Sequence, residues 1–261
     1  MHKQTYKELT KKYGKGSKTL RKNFDEFAGA TGEVFEYIEP FVLILDATFF
    51  GRGYGILIAR NVKKVLYWQE IVSETIHEYE LCLNQLGTVG YHLTAFVIDG
   101  RTGVRQFLMK KYPGKPIQLC QFHQIEIVKR YIPMRAKTEA GKKLRQIALG
   151  LTKTHAMEFE QDLNTWHAKY GDFLKEKTFV EGTNRWHYTH GRLKSAYRSL
   201  RNNLPYLFTF QNHPNLNIPN TTNHCDGLFS HVKQKILIHR GISKKRRKQM
   251  IDYFLENFQQ H

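Results

Sequence analysis

The chain of 261 residues is 41% hydrophobic and 13% aromatic, a composition that excludes a disordered protein and can bury a substantial core. Its 41 Lys and Arg residues against 23 Asp and Glu residues give a formal net charge of +18. That charge favours a polyanionic partner, most often nucleic acid, over a protein that is simply basic. Three scattered cysteines exclude a disulfide framework, and no apolar run reaches the roughly 20 residues of a membrane span. Since the N-terminus also lacks the apolar segment of a signal peptide, we expect a cytoplasmic protein with no membrane partner.

The N-terminal segment, residues 1–30, predicts two short amphipathic helices on either side of a turn at residues 14–17. Apolar residues recur every three or four positions on both sides of that turn. Two helices in this order have the outline of a helix-turn-helix, in which Lys18 and Arg21 would reach DNA phosphates or a groove. The alternative is a pair of helices that only pack together.

The apolar run FVLILDATFF, residues 41–50, contains a single carboxylate, Asp46. Its length and branched side chains predict a buried strand, and the turn-rich segment RGYG after it predicts a hairpin with a second apolar strand. A carboxylate in a sheet core is costly unless a cation or a metal ion accompanies it, so Asp46 is a candidate metal ligand. A hydrogen-bonded core aspartate without a ligand is the equally weighted alternative.

The segment up to residue 120 predicts an α/β fold in which three strands come first and strands then alternate with helices. The predicted strands are 41–49, 54–60, 65–72, 93–98 and 117–120, and the predicted helices are 73–86 and 104–111. This order describes a mixed sheet covered by helices, and it is the order of the ribonuclease H-like fold. Functional groups of such sheets lie at the carboxyl ends of strands, where Asp99 follows the fourth strand. An Asp-Gly pair is also an ordinary turn.

After the fifth predicted strand the pattern is almost wholly helical and rich in Lys and Arg, which predicts a helical insertion. Within it the segment RWHYTHGRLKSAYRSLRNN interleaves aromatic and basic residues, and Lys194, Arg198 and Arg201 fall on one helical face. Such a face suits a phosphate backbone, and Trp186 or Tyr188 would stack on an unpaired base. The alternative places the aromatic residues in the core and the charges in solvent.

A loop with two prolines leads into a helix that begins near Asn223 and carries Asp226 in its first turn. The helix dipole alone favours a negative charge there, so Asp226 has a structural explanation beside a catalytic one. The chain then reaches a basic cluster at the head of an amphipathic helix, which predicts either nucleic-acid contact or a solvated face. The cluster comprises Lys244, Lys245, Arg246, Arg247 and Lys248.

Five motifs follow one another between residues 46 and 243. They are DAT around Asp46, IDG around Asp99, LCQFHQ with Cys120 and His123, RWHYTHGRLKSAYRSL, and IPNTTNHCDGLFSHVKQKILIHRGIS around Asp226. In this order they resemble the DDE transposases of bacterial insertion sequences related to the Mutator-like group. The last motif is long and ordered, and it is the most specific of the five.

The resemblance implies a ribonuclease H-like catalytic domain over residues 36–261, with an all-helical insertion at about 124–205, preceded by a short helix-turn-helix remnant. Asp46 and Asp99 match the first two catalytic carboxylates of the family. Asp226 occupies the third position, where the family usually has Glu. Together the three aspartates would bind two Mg²⁺ or Mn²⁺ ions.

The resemblance also assigns roles outside the carboxylate triad. Cys120 and His123 match the family's C-x-x-H motif, and a supporting role beside the active site fits them better than half of a zinc site. Glu126 and Glu181 are fallback candidates for the third carboxylate. The basic residues named above, together with Lys233 and Arg240, would contact the DNA backbone.

The predicted activity is metal-dependent cleavage of double-stranded DNA at the element's terminal inverted repeats, followed by transfer of the freed 3′-hydroxyl into target DNA. The family implies a homodimer on DNA, associated with the bacterial nucleoid. Relatives carry a Cys-rich zinc module before the helix-turn-helix, and its absence here predicts a chain that begins late. Two alternatives stay open, a ribonuclease H-like DNA nuclease without strand transfer and a DNA-binding regulator whose acidic site is idle.

Overall fold

The computed structural model of the chain describes residues 5–26, 39–238 and 243–257. These residues divide into two compact units. The first unit holds the described residues up to 39, residues 46–91 and those from 223 onward, and the second holds residues 40–45 and 92–222. One strand, which begins at Phe41, belongs to the second unit up to Leu45 and to the first unit from Asp46 onward.

A mixed sheet forms from β1 (Phe41–Phe49), β2 (Gly55–Arg60), β3 (Val65–Ile71), β4 (Leu93–Ile98) and β5 (Ile117–Leu119). The strand order is β3-β2-β1-β4-β5, with β2 antiparallel to β3 and with β4 parallel to both β1 and β5. Every residue of β2 is buried, as are the first six residues of β1, because branched apolar side chains project from both faces. The predicted α/β class, the mixed sheet and the order of strands and helices are confirmed, and they are consistent with a ribonuclease H-like fold.

The described α-helices are α1 (Tyr6–Tyr13), α2 (Ser17–Glu26), α3 (Ile76–Gly87), α4 (Thr102–Lys111), α5 (Gln121–Tyr131), α6 (Glu139–Gly150), α7 (Ala156–Tyr170), α8 (Gly191–Leu207), α9 (Thr209–Asn212), α10 (Asn223–Ile238) and α11 (Lys244–Asn257). In the first unit α3 packs on β2 and β3, and α10 contacts α11. In the second unit α8 packs on α5 and β5. None of the helices in the described ranges is long and apolar enough to cross a lipid bilayer.

The predicted pair of N-terminal helices is present as α1 and α2. The side chain of Thr5 accepts from the backbone N–H of Glu8 at 3.3 Å, and the Glu8 carboxylate accepts from the Thr5 backbone in return, a capping box that starts α1. Gly14 ends α1 with a φ of 64°, a left-handed conformation that glycine adopts without strain. A DNA-binding role for this pair stays a prediction, and the end of the predicted segment, residues 27–30, lies outside the described residues.

The prediction of an all-helical insertion is wrong at one place. Residues 177–188 form an antiparallel hairpin, β6 (Lys177–Phe179) and β7 (Trp186–Tyr188). Its turn contains Gly182 with a φ of 71°, and aromatic and threonine residues flank that turn. These are hairpin features, and the helical spacing of the segment that follows Gly191 concealed them.

Candidate functional site

Two of the predicted metal ligands, Asp46 and Asp226, lie together in the first unit. Asp46 is the sixth residue of β1 and is 5% exposed, because it continues a buried apolar strand. Asp226 lies in the first turn of α10 and is half-buried, next to the buried residue Cys225. A carboxylate oxygen of Asp46 and one of Asp226 lie within 4.8 Å of each other. The strand and the helix thus place two carboxylates side by side.

The short separation of these carboxylates favours a bound cation. Two negative charges this close repel each other by roughly a few kcal/mol when partly buried, and a cation bound between them would offset that repulsion. The backbone N–H of Ala47 donates to Oδ1 of Asp46 at 2.8 Å, which orients that carboxylate. Carboxylate oxygens are hard ligands of the kind that Mg²⁺ and Mn²⁺ prefer. The donor pair therefore fits the predicted divalent ions.

The remaining predicted ligand, Asp99, lies in the second unit directly after β4. Its Oδ1 accepts from the backbone N–H of Arg101 at 3.1 Å, and Nε of Arg101 lies 3.8 Å from Oδ2. The Asp99 side chain is 24% exposed, so its carboxylate remains accessible to solvent. The structure confirms the position of Asp99 at the end of a strand, and its catalytic role stays a prediction.

Cys120 and His123 share contacts with a third residue, Thr222, that the sequence did not single out. Buried Cys120 precedes α5, and its sulfur accepts from the backbone N–H of His123 at 3.5 Å. The same sulfur accepts from the backbone N–H of Thr222 at 3.2 Å and from the Thr222 hydroxyl at 3.4 Å. The hydroxyl oxygen also lies 3.3 Å from Nδ1 of His123. We call Cys120, His123 and Thr222 the thiol clasp.

The thiol clasp joins the two residues of the C-x-x-H motif to the loop before Asn223, and a supporting role for the motif stays a prediction. If the Thr222 hydroxyl donates to sulfur, a hydrogen on Nδ1 of His123 would point at the hydroxyl oxygen and leave the lone pair of the ring on Nε2. The backbone N–H of Gln121 donates to the carbonyl of Asn220 at 2.9 Å, and the Asn220 side chain donates to Gln121 Oε1 at 3.0 Å. Residues 220–222, with the sequence NTT, thus pack against the start of α5. Its short polar side chains, ahead of a helix, were the available sequence signal.

The predicted DNA-binding residues of the first unit differ in how exposed their side chains are. Lys18 and Arg21 on α2 and Lys233 on α10 are exposed. In the basic cluster, Lys244 and Lys245 are exposed, and Arg246, Arg247 and Lys248 are partly buried. Arg240 lies outside the described residues. DNA contact by these side chains stays a prediction.

Part of the basic cluster contacts carboxylates of the first unit. Nζ of Lys248 donates to Oδ2 of Asp252 at 2.8 Å, and Oδ1 of the same carboxylate accepts from Nε1 of Trp68 at 2.9 Å. Nζ of Lys244 lies 3.8 Å from a carboxylate oxygen of Glu70. These contacts border a cavity of about 380 Å³ that Tyr54 also lines. At least two of the five cations therefore have intramolecular carboxylate partners.

The predicted basic face of α8 lies in the second unit. Nζ of Lys194 lies 3.2 Å from the centre of the Tyr188 ring, and Arg198 is exposed. Arg201 donates to the carboxylate of Glu160 at 2.9 Å, so an acidic residue of α7 partly offsets its charge. Of the two fallback candidates for the third carboxylate, Glu126 accepts a hydrogen bond from Lys129 at 2.6 Å, and Glu181 is exposed in the hairpin turn.

Comparison with solved structures shows a distant likeness. No protein-family model matches the chain, and no curated protein matches it. The solved structure of the Drosophila P element transposase strand transfer complex is similar over 92% of this chain and 85% of that chain, with a TM-score of 0.35 and 12% sequence identity. At this distance the likeness does not bear on function, which has to be argued from the residues of the site.

Proposed function

We propose that this chain is a metal-dependent DNA-cleaving enzyme of the DDE transposase type. The observation that carries the proposal is the pair of Asp46 and Asp226, whose carboxylate oxygens lie within 4.8 Å of each other on a buried strand and a helix start. The formal net charge of +18 supports a polyanionic substrate. The motifs that resemble insertion-sequence transposases select double-stranded DNA with terminal inverted repeats as that substrate, with a homodimer acting on it.

In this proposal Asp46, Asp99 and Asp226 hold two Mg²⁺ or Mn²⁺ ions, and Asp226 does so in place of the Glu usual in the family. When bound, such ions activate an attacking oxygen and stabilise a leaving oxygen at a phosphodiester. Asp46 contributes a carboxylate fixed by the N–H of Ala47. His123, oriented by the thiol clasp, contacts the phosphate or the leaving group through Nε2.

The two proposed steps exchange one P–O bond for another and need no oxidant, reductant or covalent enzyme intermediate. In the first step the oxygen of water bonds to phosphorus, and the 3′-oxygen of the element end leaves and takes up a proton. In the second step that 3′-hydroxyl bonds to a phosphorus of target DNA and displaces the target's own 3′-oxygen. Exposed cationic side chains such as Arg198 and Lys245 bind the DNA backbone during both steps.

The test is cleavage of a labelled duplex that carries a candidate element end, with Mg²⁺, Mn²⁺ or EDTA. We expect metal-dependent nicking by the wild type and none by Asp46→Asn or Asp226→Asn. Their affinity for DNA should stay equal or rise, since each change removes a charge that repels phosphate. Asp162→Asn, at an exposed aspartate of α7, is the matched control and should cleave normally.

The products separate this proposal from its alternatives. Joining of the 3′-hydroxyl end to a second duplex identifies a transposase, whereas cleavage without joining identifies a nuclease. Binding of DNA without cleavage in any metal would identify a DNA-binding regulator and contradict the enzymatic proposal. Full cleavage by Asp46→Asn would contradict the assignment of the metal ligands.

A further inference from the structure

The β6–β7 hairpin presents one face made almost entirely of aromatic side chains. The strands pair Phe179 with Trp186 and Lys177 with Tyr188, and residues two apart in a strand share a face. These four residues therefore project from the same side of the hairpin. We call them the hairpin face. Thr178 and His187 project from the opposite side.

The hairpin face is open to solvent although it is apolar. Phe179 is 69% exposed, Trp186 is 43% exposed and Tyr188 is 37% exposed. The rings of Trp186 and Tyr188 meet edge to face with centroids 5.2 Å apart, so they form one continuous patch. Large exposed aromatic residues that cluster in this way mark an interaction surface, because a core position would bury them.

The patch is also electropositive. Nζ of Lys177 lies 3.8 Å from the centre of the Trp186 ring, and Nζ of Lys194 lies 3.2 Å from the centre of the Tyr188 ring. A hydrogen bond from Lys194, followed by the charges of Lys194, Lys177 and Arg198, lowers the pKa of the Tyr188 hydroxyl. The hairpin turn adds one charge of each sign, Glu181 and Arg185, and so does not change this balance.

A groove of about 620 Å³ begins at Tyr188 and runs along the loop between α5 and α6. Its lining includes the exposed cations Arg135 and Lys137, and Arg192. Arg192 also donates to the backbone carbonyls of Arg130 and Tyr131. The groove thus extends the aromatic patch with a basic path.

We propose that the hairpin face binds unpaired nucleotides of a DNA strand, with bases stacked on Trp186 and Phe179 and phosphates on the lysines and the adjoining groove. Bases inside a duplex are stacked on each other and offer no free face to an aromatic ring, so a duplex would use only the cations. An apolar protein partner would have to strip water from Lys177 and Lys194 without supplying a counter-charge. An unpaired strand supplies both the ring faces and the phosphates.

This inference extends the proposed function by naming the form of DNA that the second unit holds, and it rests on DNA being the substrate. Its test measures binding in EDTA, where no cleavage occurs. Binding to an unpaired strand can therefore be detected even if the chain does not cleave DNA. It can also be absent in a chain that does cleave DNA.

The first readout is tryptophan fluorescence during titration with oligo(dT). The chain has three tryptophans, of which Trp68 and Trp166 are each 3% exposed and Trp186 is 43% exposed. Stacking of a base on Trp186 quenches its emission, so we expect quenching in the wild type and its loss in Trp186→Phe. Quenching that persists in Trp186→Phe would overturn the assignment.

The second readout is the dissociation constant for oligo(dT) against that for a blunt duplex. We expect Trp186→Ala to weaken binding to oligo(dT) about ten-fold and Phe179→Ala to weaken it several-fold. Neither change should alter duplex binding by more than about two-fold, because duplex binding is electrostatic. Met157→Ala, which removes an 83% exposed side chain of α7, is the matched control and should change neither constant.

Two results would overturn the proposal. One is unchanged oligo(dT) binding by Trp186→Ala and Phe179→Ala, and the other is an equal loss on single strand and duplex. Trp186→Phe guards against misfolding, since an aromatic ring at this position should restore most of the affinity that Trp186→Ala loses. Lys177→Gln should lower the salt dependence of oligo(dT) binding by about one counterion.

Discussion

The hydroxyl of Thr222 lies 3.4 Å from the sulfur of Cys120, and the two residues are 0% and 1% exposed. One of them precedes α5 and the other is the last residue of the second unit, so a single buried contact joins two segments of that unit that are distant in the chain. A buried hydroxyl has to be satisfied by the protein, because water does not reach it. Here sulfur and the His123 imidazole satisfy it.

We expect Thr222→Val to destabilise the chain by about 1–2 kcal/mol, measured by urea denaturation. Valine keeps the shape of the side chain, but it removes the hydroxyl contacts with the sulfur of Cys120 and with Nδ1 of His123. Thr222→Ser keeps the hydroxyl and should recover most of the lost free energy of unfolding. Equal stability of Thr222→Val and the wild type would mean that the clasp is not energetically significant.

Tyr54 and Tyr79 are both buried tyrosines of the first unit, and they predict opposite effects of losing a hydroxyl. No atom of the described residues accepts or donates a hydrogen bond at the Tyr54 hydroxyl, whereas the Tyr79 hydroxyl donates to Glu74 at 2.6 Å. Burial, together with Glu70 and Asp252, raises the pKa of Tyr54, so the hydroxyl keeps its proton at ordinary pH.

Tyr54→Phe should therefore be neutral or stabilise the chain by up to about 1 kcal/mol, since it removes an unsatisfied buried polar group. Tyr79→Phe should destabilise the chain by about 1 kcal/mol, since it removes a satisfied one. Thermal unfolding of both variants beside the wild type makes the comparison. A loss of stability in Tyr54→Phe as large as that in Tyr79→Phe would show that the cavity supplies a partner.

The sequence predicted the sheet well because its strands are apolar runs between clear turns. Phe41–Phe49 and Leu93–Ile98 have the predicted bounds, and Asp46 is buried as its apolar neighbours implied. The hairpin at 177–188 was missed because each of its strands has three residues, too few for a period-two pattern to stand out from the helical spacing that follows.

The site was only partly accessible from sequence. The nearness of Asp46 to Asp226 was expected from the family resemblance, since nothing local relates a strand to a helix so far along the chain. Thr222 was missed because a threonine in a loop carries no periodic signal, and its partners become apparent only when the loop is folded. The basic cluster was read as uniform, yet Lys248 has Asp252 as a buried partner, four residues ahead on the same helix.

Breaking that ion pair should be costly. Asp252 is 3% exposed, and Lys248→Met leaves its carboxylate with the Trp68 donor but without its cation. We expect a loss of about 2–3 kcal/mol in urea denaturation, below the full value for a buried pair because Lys248 is partly exposed. Lys245→Met, at an exposed cation of the same cluster, is the control and should change stability by less than about 0.5 kcal/mol.

The double variant Lys248→Met with Asp252→Asn separates the ion pair from packing. Removing both charges should recover part of the loss seen in Lys248→Met, since the unpaired buried charge is gone. Additive losses in the two single variants and the double variant would contradict a direct coupling between these residues.

The carboxylate pair of Asp46 and Asp226 predicts a stability change that is independent of any DNA substrate. Divalent ions that bind the folded state raise its unfolding temperature, and a concentration of about 100 times Kd adds about 2.7 kcal/mol. We expect Mn²⁺ to raise the Tm of the wild type by several degrees over EDTA, and to leave that of Asp46→Asn or Asp226→Asn unchanged. Asp162→Asn should respond to Mn²⁺ as the wild type does, and a full Mn²⁺ response in Asp46→Asn would place the ion elsewhere.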